Sequence, residues 1–380
     1  MHILIIPSWY ASSYNSLLGT FFKDQAEALS RFGHKVGVIA IQGVGIRQII
    51  EQKKIDFSNS IYIDNNVLTY RKQFFDIKFK SFLDKYRIHY FKKNFKLYVK
   101  ENGLPDIIHL HSFFNGEMAI WIKEKYNIPY VVTEHVSSIE NDGLNSKLFN
   151  LAQKTYLNSK YNISVSENLG LFLKSKFNTN FSYLPNIVNT DFFTIKKESN
   201  FDSFNFINIA HLTKNKNQEM LIYSFFNAFK NQKNIKLTIV GDGSEFETLR
   251  KLIEKLGMKN QITLFGKATR KEVKELLHQS DVFVLSSKYE TFGVVIIEAL
   301  SCGLPVISTK CGGPESIIKD EEIGALCDIN VDSLSNGLEK IYNHSSNYKK
   351  EYIRKIVIDE FSEKAIILRL NEIYEKVIKS

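Results

Sequence analysis

Cysteine is scarce in this chain of 380 residues: Cys302, Cys311 and Cys327 are the only three, and no two form a Cys-x-x-Cys. An odd, unclustered set argues against a disulfide framework or a zinc site, and for a reducing compartment. Long hydrophobic runs are missing too. No stretch approaches the ~20 apolar residues that span a bilayer. The opening "MHILIIPSW" has an apolar run too short for a signal peptide and no basic leader, so a cytosolic protein is expected. Neither half carries a complete glycine-rich fingerprint followed by an acidic residue, which argues against a NAD-dependent oxidoreductase; "GDG" at 241–243 is only a fragment of one. There are no low-complexity tracts.

The residues present are those of a globular protein, 44% hydrophobic and 24% charged. The length suits two domains of roughly 150–200 residues rather than one. A net charge of +9 is unevenly spread, because residues 71–100 hold ten Lys or Arg against Asp76 and Asp84, a net of +8. Phe79, Phe82, Leu83, Tyr86 and Tyr90 recur there at three- and four-residue spacing, which predicts an amphipathic basic helix. Such a helix either docks on an anionic membrane surface or packs its aromatic stripe on its own domain. No nucleic-acid motif accompanies it, so nucleic acid is not an expected partner.

Short apolar strands alternate with helical patterns from end to end. "HILII", "KVGVIAI", "DIIHLH", "PYVVT" and "NISVS" read as strands of the first half; "FNFINIA", "IKLTIV", "ITLFG", "DVFVL", "PVIST" and "GALCD" read as strands of the second. Continuous apolar strands between helices mean parallel sheets covered on both faces, and two sets mean two doubly wound α/β domains. The polar stretch 188–203 predicts the junction and hinge: a first domain over 1–190, and a second over 204–360. The segment 361–380 is an amphipathic helix with Ser362 as its N-cap.

The segment "YETFGVVIIEALSCGLP", residues 289–305, carries Glu290 and Glu298 in apolar surroundings. Buried carboxylates are costly unless partnered. Here strand "DVFVLSS" leads into a loop and then a helix opening at Gly293, and ligands of open α/β sheets sit beyond such strand ends. The first-turn amides of that helix suit a phosphate. Two carboxylates flanking an anion site suit a molecule with hydroxyls at both ends and phosphates between, a nucleotide sugar. The alternative is that both glutamates only cap and form salt bridges.

The series "NIAHLTKNKNQEMLIYSF", "LTIVGDGSEFETLRKLIEKLGMKNQITLFG" and "DVFVLSSKYETFGVVIIEALSCGLPVISTKCGGPE" resembles the C-terminal domain of family 4 retaining glycosyltransferases, of GT-B fold, from about residue 204 to 327. "GTFFKDQAEAL", "PDIIHLH", "PYVVTEH", "ISVSENL" and "LPNIVNTDFF" resemble that family's first domain in the same order. The resemblance implies two Rossmann-like domains facing across a cleft, with the last helix crossing back to the first. It implies that Glu290 contacts the donor sugar and Glu298 the ribose hydroxyls, while amides of Thr291, Phe292 and Gly293 hold the diphosphate. Lys216 matches the family's phosphate-neutralising lysine; His211 stands where an arginine is usual, offering one hydrogen bond in place of a charged fork. Gly19 matches the glycine that admits the phosphates, and His135 a histidine near the reaction centre. His111, Ser166, Asn186 and Pro314 are weaker candidates.

By the same resemblance, an acceptor hydroxyl attacks the anomeric carbon from the face the diphosphate leaves, retaining configuration. There is no Asp-x-Asp triplet, and the resemblance implies independence of metal and of any cofactor beyond the nucleotide-sugar donor. A saccharide or lipid-linked acceptor at the inner membrane face is expected, in assembly of bacterial surface polysaccharide, capsule or lipopolysaccharide. A nucleotide-sugar epimerase of the same architecture and a non-catalytic nucleotide-sugar-binding scaffold are the rival readings; His211 is the one feature favouring the scaffold.

Overall fold

The structure, a computed structural model, describes residues 1–11, 19–45, 57–76, 80–136, 143–195 and 203–380. It divides into two compact units, residues 1–187 with 366–380, and residues 188–365.

The first unit opens with β1 (His2–Pro7), α1 (Thr20–Arg31) and β2 (Lys35–Gly45). A hairpin of β3 (Asn59–Asp64) and β4 (Val67–Asp76) follows, then the long α2 (Lys80–Asn102). Next come β5 (Ile107–His111), α3 (Gly116–Tyr126), β6 (Tyr130–Glu134) and α4 (Ser146–Asn158). The unit continues with β7 (Tyr161–Ser164), α5 (Glu167–Phe177) and the short β8 (Ser182–Tyr183). Its strand order is β3-β4-β2-β1-β5-β6-β7-β8, with every pair parallel except β3 against β4.

The second unit alternates β9 (Phe204–Ile209), α6 (Gln218–Phe229), β10 (Ile235–Val240) and α7 (Phe246–Lys255). It goes on through β11 (Ile262–Gly266), α8 (Arg270–His278), β12 (Val282–Leu285) and α9 (Val294–Ser301). After β13 (Val306–Thr309), β14 (Gly324–Cys327), α10 (Val331–Asn343) and α11 (Lys350–Phe361), the last helix α12 (Glu363–Lys379) begins. All strands of its sheet are parallel, in order β11-β10-β9-β12-β13-β14. Strands such as β12 are buried at every residue, which is why they read as unbroken apolar runs rather than alternating ones.

The last helix completes the first unit's core. Ser362 Oγ accepts from Ala365 N at 3.2 Å, an N-cap at the helix start. Ile366, Ile367, Leu370, Tyr374 and Val377 then join the cluster that includes Ile3, Ile5, Phe22 and Val38. Full burial of each such side chain stabilises by about 1.5–3 kcal/mol.

Residues 71–100 are not one helix. Residues 71–76 belong to β4, and the helix starts at Lys80. Arg71 is buried, its guanidinium donating to the carbonyls of Ala11 at 2.7 Å and Tyr10 at 3.3 Å, so it adds nothing to a basic surface. The inward face of α2 is Phe91, Asn94, Phe95 and Tyr98, all buried, and the Lys92 ammonium lies 5.0 Å over the Trp121 ring. Tyr86 and Tyr90 pack on each other with centroids 4.5 Å apart; the side chains of Phe79, Phe82 and Leu83 lie outside the described residues. The aromatic stripe of this helix therefore includes a packed face of its own unit. Part of the expected hinge, residues 196–202, also lies outside the described residues.

Candidate functional site

In each sheet, winding reverses direction once, between β1 and β5 and between β9 and β12. Strand-end loops part at such a switch point and leave room for a ligand. Of the expected residues, Gly19 and His111 follow β1 and β5, His211 with Lys216 and Glu290 follow β9 and β12, and His135 follows the next strand, β6.

In the second unit, the loop after β9 carries His211 and Lys216, and the loop after neighbouring β12 carries Glu290. The two loops are stitched together: Ser286 Oγ donates to Lys216 O at 2.9 Å, Lys288 N to Asn215 O at 2.7 Å, and Asn215 Nδ2 to Tyr289 O at 3.0 Å. Across this seam the Lys216 ammonium forms an ion pair with Glu290 Oε2, both side chains half-buried. The Glu290 backbone is held from its other side, where its N–H donates to Cys311 O at 2.9 Å and its carbonyl accepts from Gly313 N at 2.7 Å. Glu315 receives Gly312 N on both carboxylate oxygens, at 3.0 and 2.9 Å, and so shapes that third loop. Pro314 opens a single 3-10 turn there.

Thr291, Phe292 and Gly293 lead directly into α9. Gly293 is its N-cap at φ +95°, a conformation that L side chains adopt at a cost, and Phe292 is buried against Phe361 at 6.3 Å between ring centroids. Ile296 N already donates to Gly293 O at 2.9 Å, so this start offers the amides ahead of it and a positive dipole end. Glu298 is the fifth residue of α9 and half-buried. Burial and the neighbouring Glu298 carboxylate push the Cys302 thiol up to about 12. His211 is exposed two residues past β9, and the "GDG" turn braces its loop, with Leu212 N donating to Asp242 O at 3.0 Å.

In the first unit, Gly19 caps α1 at φ +69°, where a β-carbon would stand 2.8 Å from Trp9 O and 2.9 Å from Trp9 Cδ1. His135 follows β6 directly and is buried, its ring against Phe21 and Phe22 at 5.0 and 4.9 Å. A hydrogen bond of 3.1 Å joins His135 Nε2 to His111 Nδ1, at the end of neighbouring β5. His111 stacks on His109 at 4.2 Å, and His109 is bound by Tyr374 OH at 2.6 Å and Thr133 Oγ1 at 2.7 Å. Burial pushes His109 and His135 down to about 3 and His111 well below its ordinary value, so all three rings stay neutral. Among the described residues, His111 Nε2 and His135 Nδ1 have no hydrogen-bond partner.

Glu134 was not singled out from the sequence, yet it organises this corner. Its Oε1 accepts from His135 N at 2.9 Å and Val136 N at 3.0 Å; its Oε2 accepts from Phe113 N at 3.1 Å and Tyr156 OH at 2.7 Å. It thereby ties the ends of β5 and β6 together. Burial still raises its carboxyl above the ordinary range. A glutamate ending "YVVTE" was the available signal, by the same reasoning that picked out Glu290. Ser166 is a helix cap, accepting from Leu169 N at 3.3 Å, and Asn186 is buried. The first unit also has a cavity of about 1090 Å³, lined in part by Ser8, Gln42, Phe114, Trp121, Asn145 and Asn158.

Two parallel α/β units of this kind define the GT-B glycosyltransferase fold. The structure superposes on sucrose-phosphate synthase of Thermosynechococcus elongatus with a TM-score of 0.82, over 100% of both chains at 18% identity. It matches Anabaena HepE, solved in complex with UDP, with a TM-score of 0.74 at 16% identity, over 99% of this chain and 100% of that one. Residues 18–192 match the family described as Glycosyltransferase Family 4, and residues 191–356 that described as Glycosyl transferases group 1. The chain belongs to these group 1 glycosyltransferases. It is 29% identical to N-acetyl-alpha-D-glucosaminyl L-malate synthase of Bacillus anthracis over 176 residues, 46% of this chain and 45% of that protein. It spans 29% to 57% of the length of two further curated relatives.

Proposed function

We propose that this glycosyltransferase moves a sugar from a nucleotide-diphosphate sugar to a hydroxyl of a saccharide acceptor, with retention of configuration and without a metal ion. The observation that carries the reading is the Lys216–Glu290 pair, set between the ends of β9 and β12 and beside the start of α9. Lys216 and the α9 amides supply positive potential for a departing diphosphate, and Glu290 and Glu298 supply acceptors for sugar and ribose hydroxyls. His211 adds a hydrogen bond or, protonated by the diphosphate, a charge. In the first unit, the cavity lined by aromatic, amide and charged side chains offers stacking faces and hydrogen-bond partners to a saccharide. The leaving diphosphate oxygen takes the acceptor's proton, so no protein nucleophile is required.

The acceptor is lipid-linked and the enzyme cytoplasmic, peripheral at the inner face of the membrane, in surface polysaccharide assembly. The exposed Lys93 and Lys96 of α2 support a contact with anionic lipid. No helix of the described residues is long and apolar enough to cross a membrane.

A thermal-shift screen against uridine, guanosine, adenosine and cytidine diphosphates and their common sugar conjugates, with and without EDTA, tests the donor site. Stabilisation grows with ligand over Kd, so one nucleotide series should raise Tm, unchanged by EDTA. Silence across the panel would overturn the reading.

A further inference from the structure

The partner Lys216 already has is the most informative feature of the second unit. An ammonium placed for a diphosphate is paired with a carboxylate, Glu290, and the backbone on both sides of the pair is anchored. The Lys216 carbonyl is fixed by Ser286 Oγ, and Asn215 by Lys288 and Tyr289; Glu290 is gripped through its own N–H and C=O by Cys311 and Gly313. Three loops therefore fix the backbone positions from which the two side chains reach each other.

Resting on the donor reading above, we propose that Glu290 has a second role: it competes with the diphosphate for Lys216 and so weakens binding of the spent nucleoside diphosphate. With the sugar attached, hydroxyls engage the Glu290 carboxylate and Lys216 turns to the phosphates. Once the sugar has left, the carboxylate returns to Lys216, its side-chain partner among the described residues. The diphosphate then loses a cation and gains a neighbouring negative charge. Both changes favour release, the step that often limits turnover in well-evolved enzymes. Cys311, whose thiol is pushed up to about 12 by burial and then by the Glu290 and Glu315 carboxylates, stays a neutral wall of this corner.

Isothermal titration of the four nucleoside diphosphates into wild type, Glu290→Gln and Glu290→Asp tests this. Glutamine keeps the shape and releases the ammonium, so at least one diphosphate should bind about tenfold tighter than to wild type. Aspartate, one methylene shorter, should fall between. Wild-type binding with equal or weaker binding to Glu290→Gln overturns the competition and leaves the donor site standing. A tight Gln variant beside an Asp variant indistinguishable from wild type assigns the effect to the carboxylate's field rather than its hold on Lys216, and overturns it as well. No binding to any of the three proteins removes donor site and competition together.

Discussion

Tyr156 donates its phenolic hydrogen to Glu134 at 2.7 Å, and that one contact completes a carboxylate shared among three backbone amides and a side chain. Burial and the adjacent carboxylate hold the phenol well above its ordinary range, so it remains a donor at any physiological pH. Tyr156→Phe should cost about 1–3 kcal/mol of unfolding free energy. Glu134→Ala should cost more than about 3 kcal/mol, because three buried N–H groups lose their acceptor at once. Urea denaturation of the two variants against wild type reads both values; equal costs would mean the amides are not relying on Glu134.

Gly19→Ala places a side chain at φ +69° with its β-carbon 2.8 Å from Trp9 O. The left-handed conformation alone costs about 1–2 kcal/mol, and the carbonyl oxygen cannot move aside as a side-chain tip could. A drop in Tm of several degrees is expected, with loss of activity beyond the loss of folded protein. A variant as stable and active as wild type would show that this turn tolerates the β-carbon.

The buried histidines set an acid limit. His109 and His135 sit at about 3 when folded and near 6.5 when unfolded, and His111 is lowered in the same direction. Below about pH 6.5 the unfolded chain binds protons that the folded one refuses. Stability is therefore full above that pH and declines as pH falls from there toward 3, by about 1.4 kcal/mol per pH unit per ring. Glu134, raised by burial, opposes this with one group against three. His109→Asn should make the decline between pH 6.5 and about 4.5 shallower, as measured by denaturant titrations across that range.

Glu298→Ala should weaken nucleoside diphosphate binding about tenfold or more, since charge-assisted hydrogen bonds to ribose hydroxyls contribute about 1.5–3 kcal/mol. Glu290→Ala should instead lower turnover while, by freeing Lys216, tightening rather than weakening nucleoside diphosphate binding. Calorimetry and initial rates separate the two. If both variants lose thermal stability and keep full activity, the carboxylates are structural.

Lys93 and Lys96 are exposed on α2, whereas Lys92 covers Trp121. Reversing Lys93 and Lys96 to Glu while leaving Lys92 in place should weaken sedimentation with phosphatidylserine vesicles at least about tenfold, at about 1 kcal/mol per basic group. Unchanged sedimentation would remove the membrane contact.

The runs "HILII", "DVFVL" and "PVIST" were legible as parallel strands because both faces of each are buried, and burial on both faces leaves no polar alternation. The Ser362 cap and the Gly293 helix start were legible for a similar reason: caps and positive φ angles restrict which residue can occupy one position. The hairpin of β3 and β4 was not legible. Its Arg71 looks like surface charge in sequence, and only the carbonyls of Tyr10 and Ala11, some sixty residues away, make it an interior residue.

What the amino-acid order determined by itself is the set of local elements and the residue types at their ends: Lys216 after one strand, Glu290 after another, His111 and His135 after two more. Which of these meet was decided by the tertiary structure. Lys216 reaches Glu290 because β9 and β12 are neighbours in the sheet, and His111 reaches His135 because β5 pairs with β6. Glu134 gained two of its four donors, Phe113 N and Tyr156 OH, in the same way, whereas His135 N and Val136 N are its neighbours in sequence. Local propensity acts over a few residues, whereas a buried charge or a neutral imidazole is created by groups distant in sequence that remove water from around it.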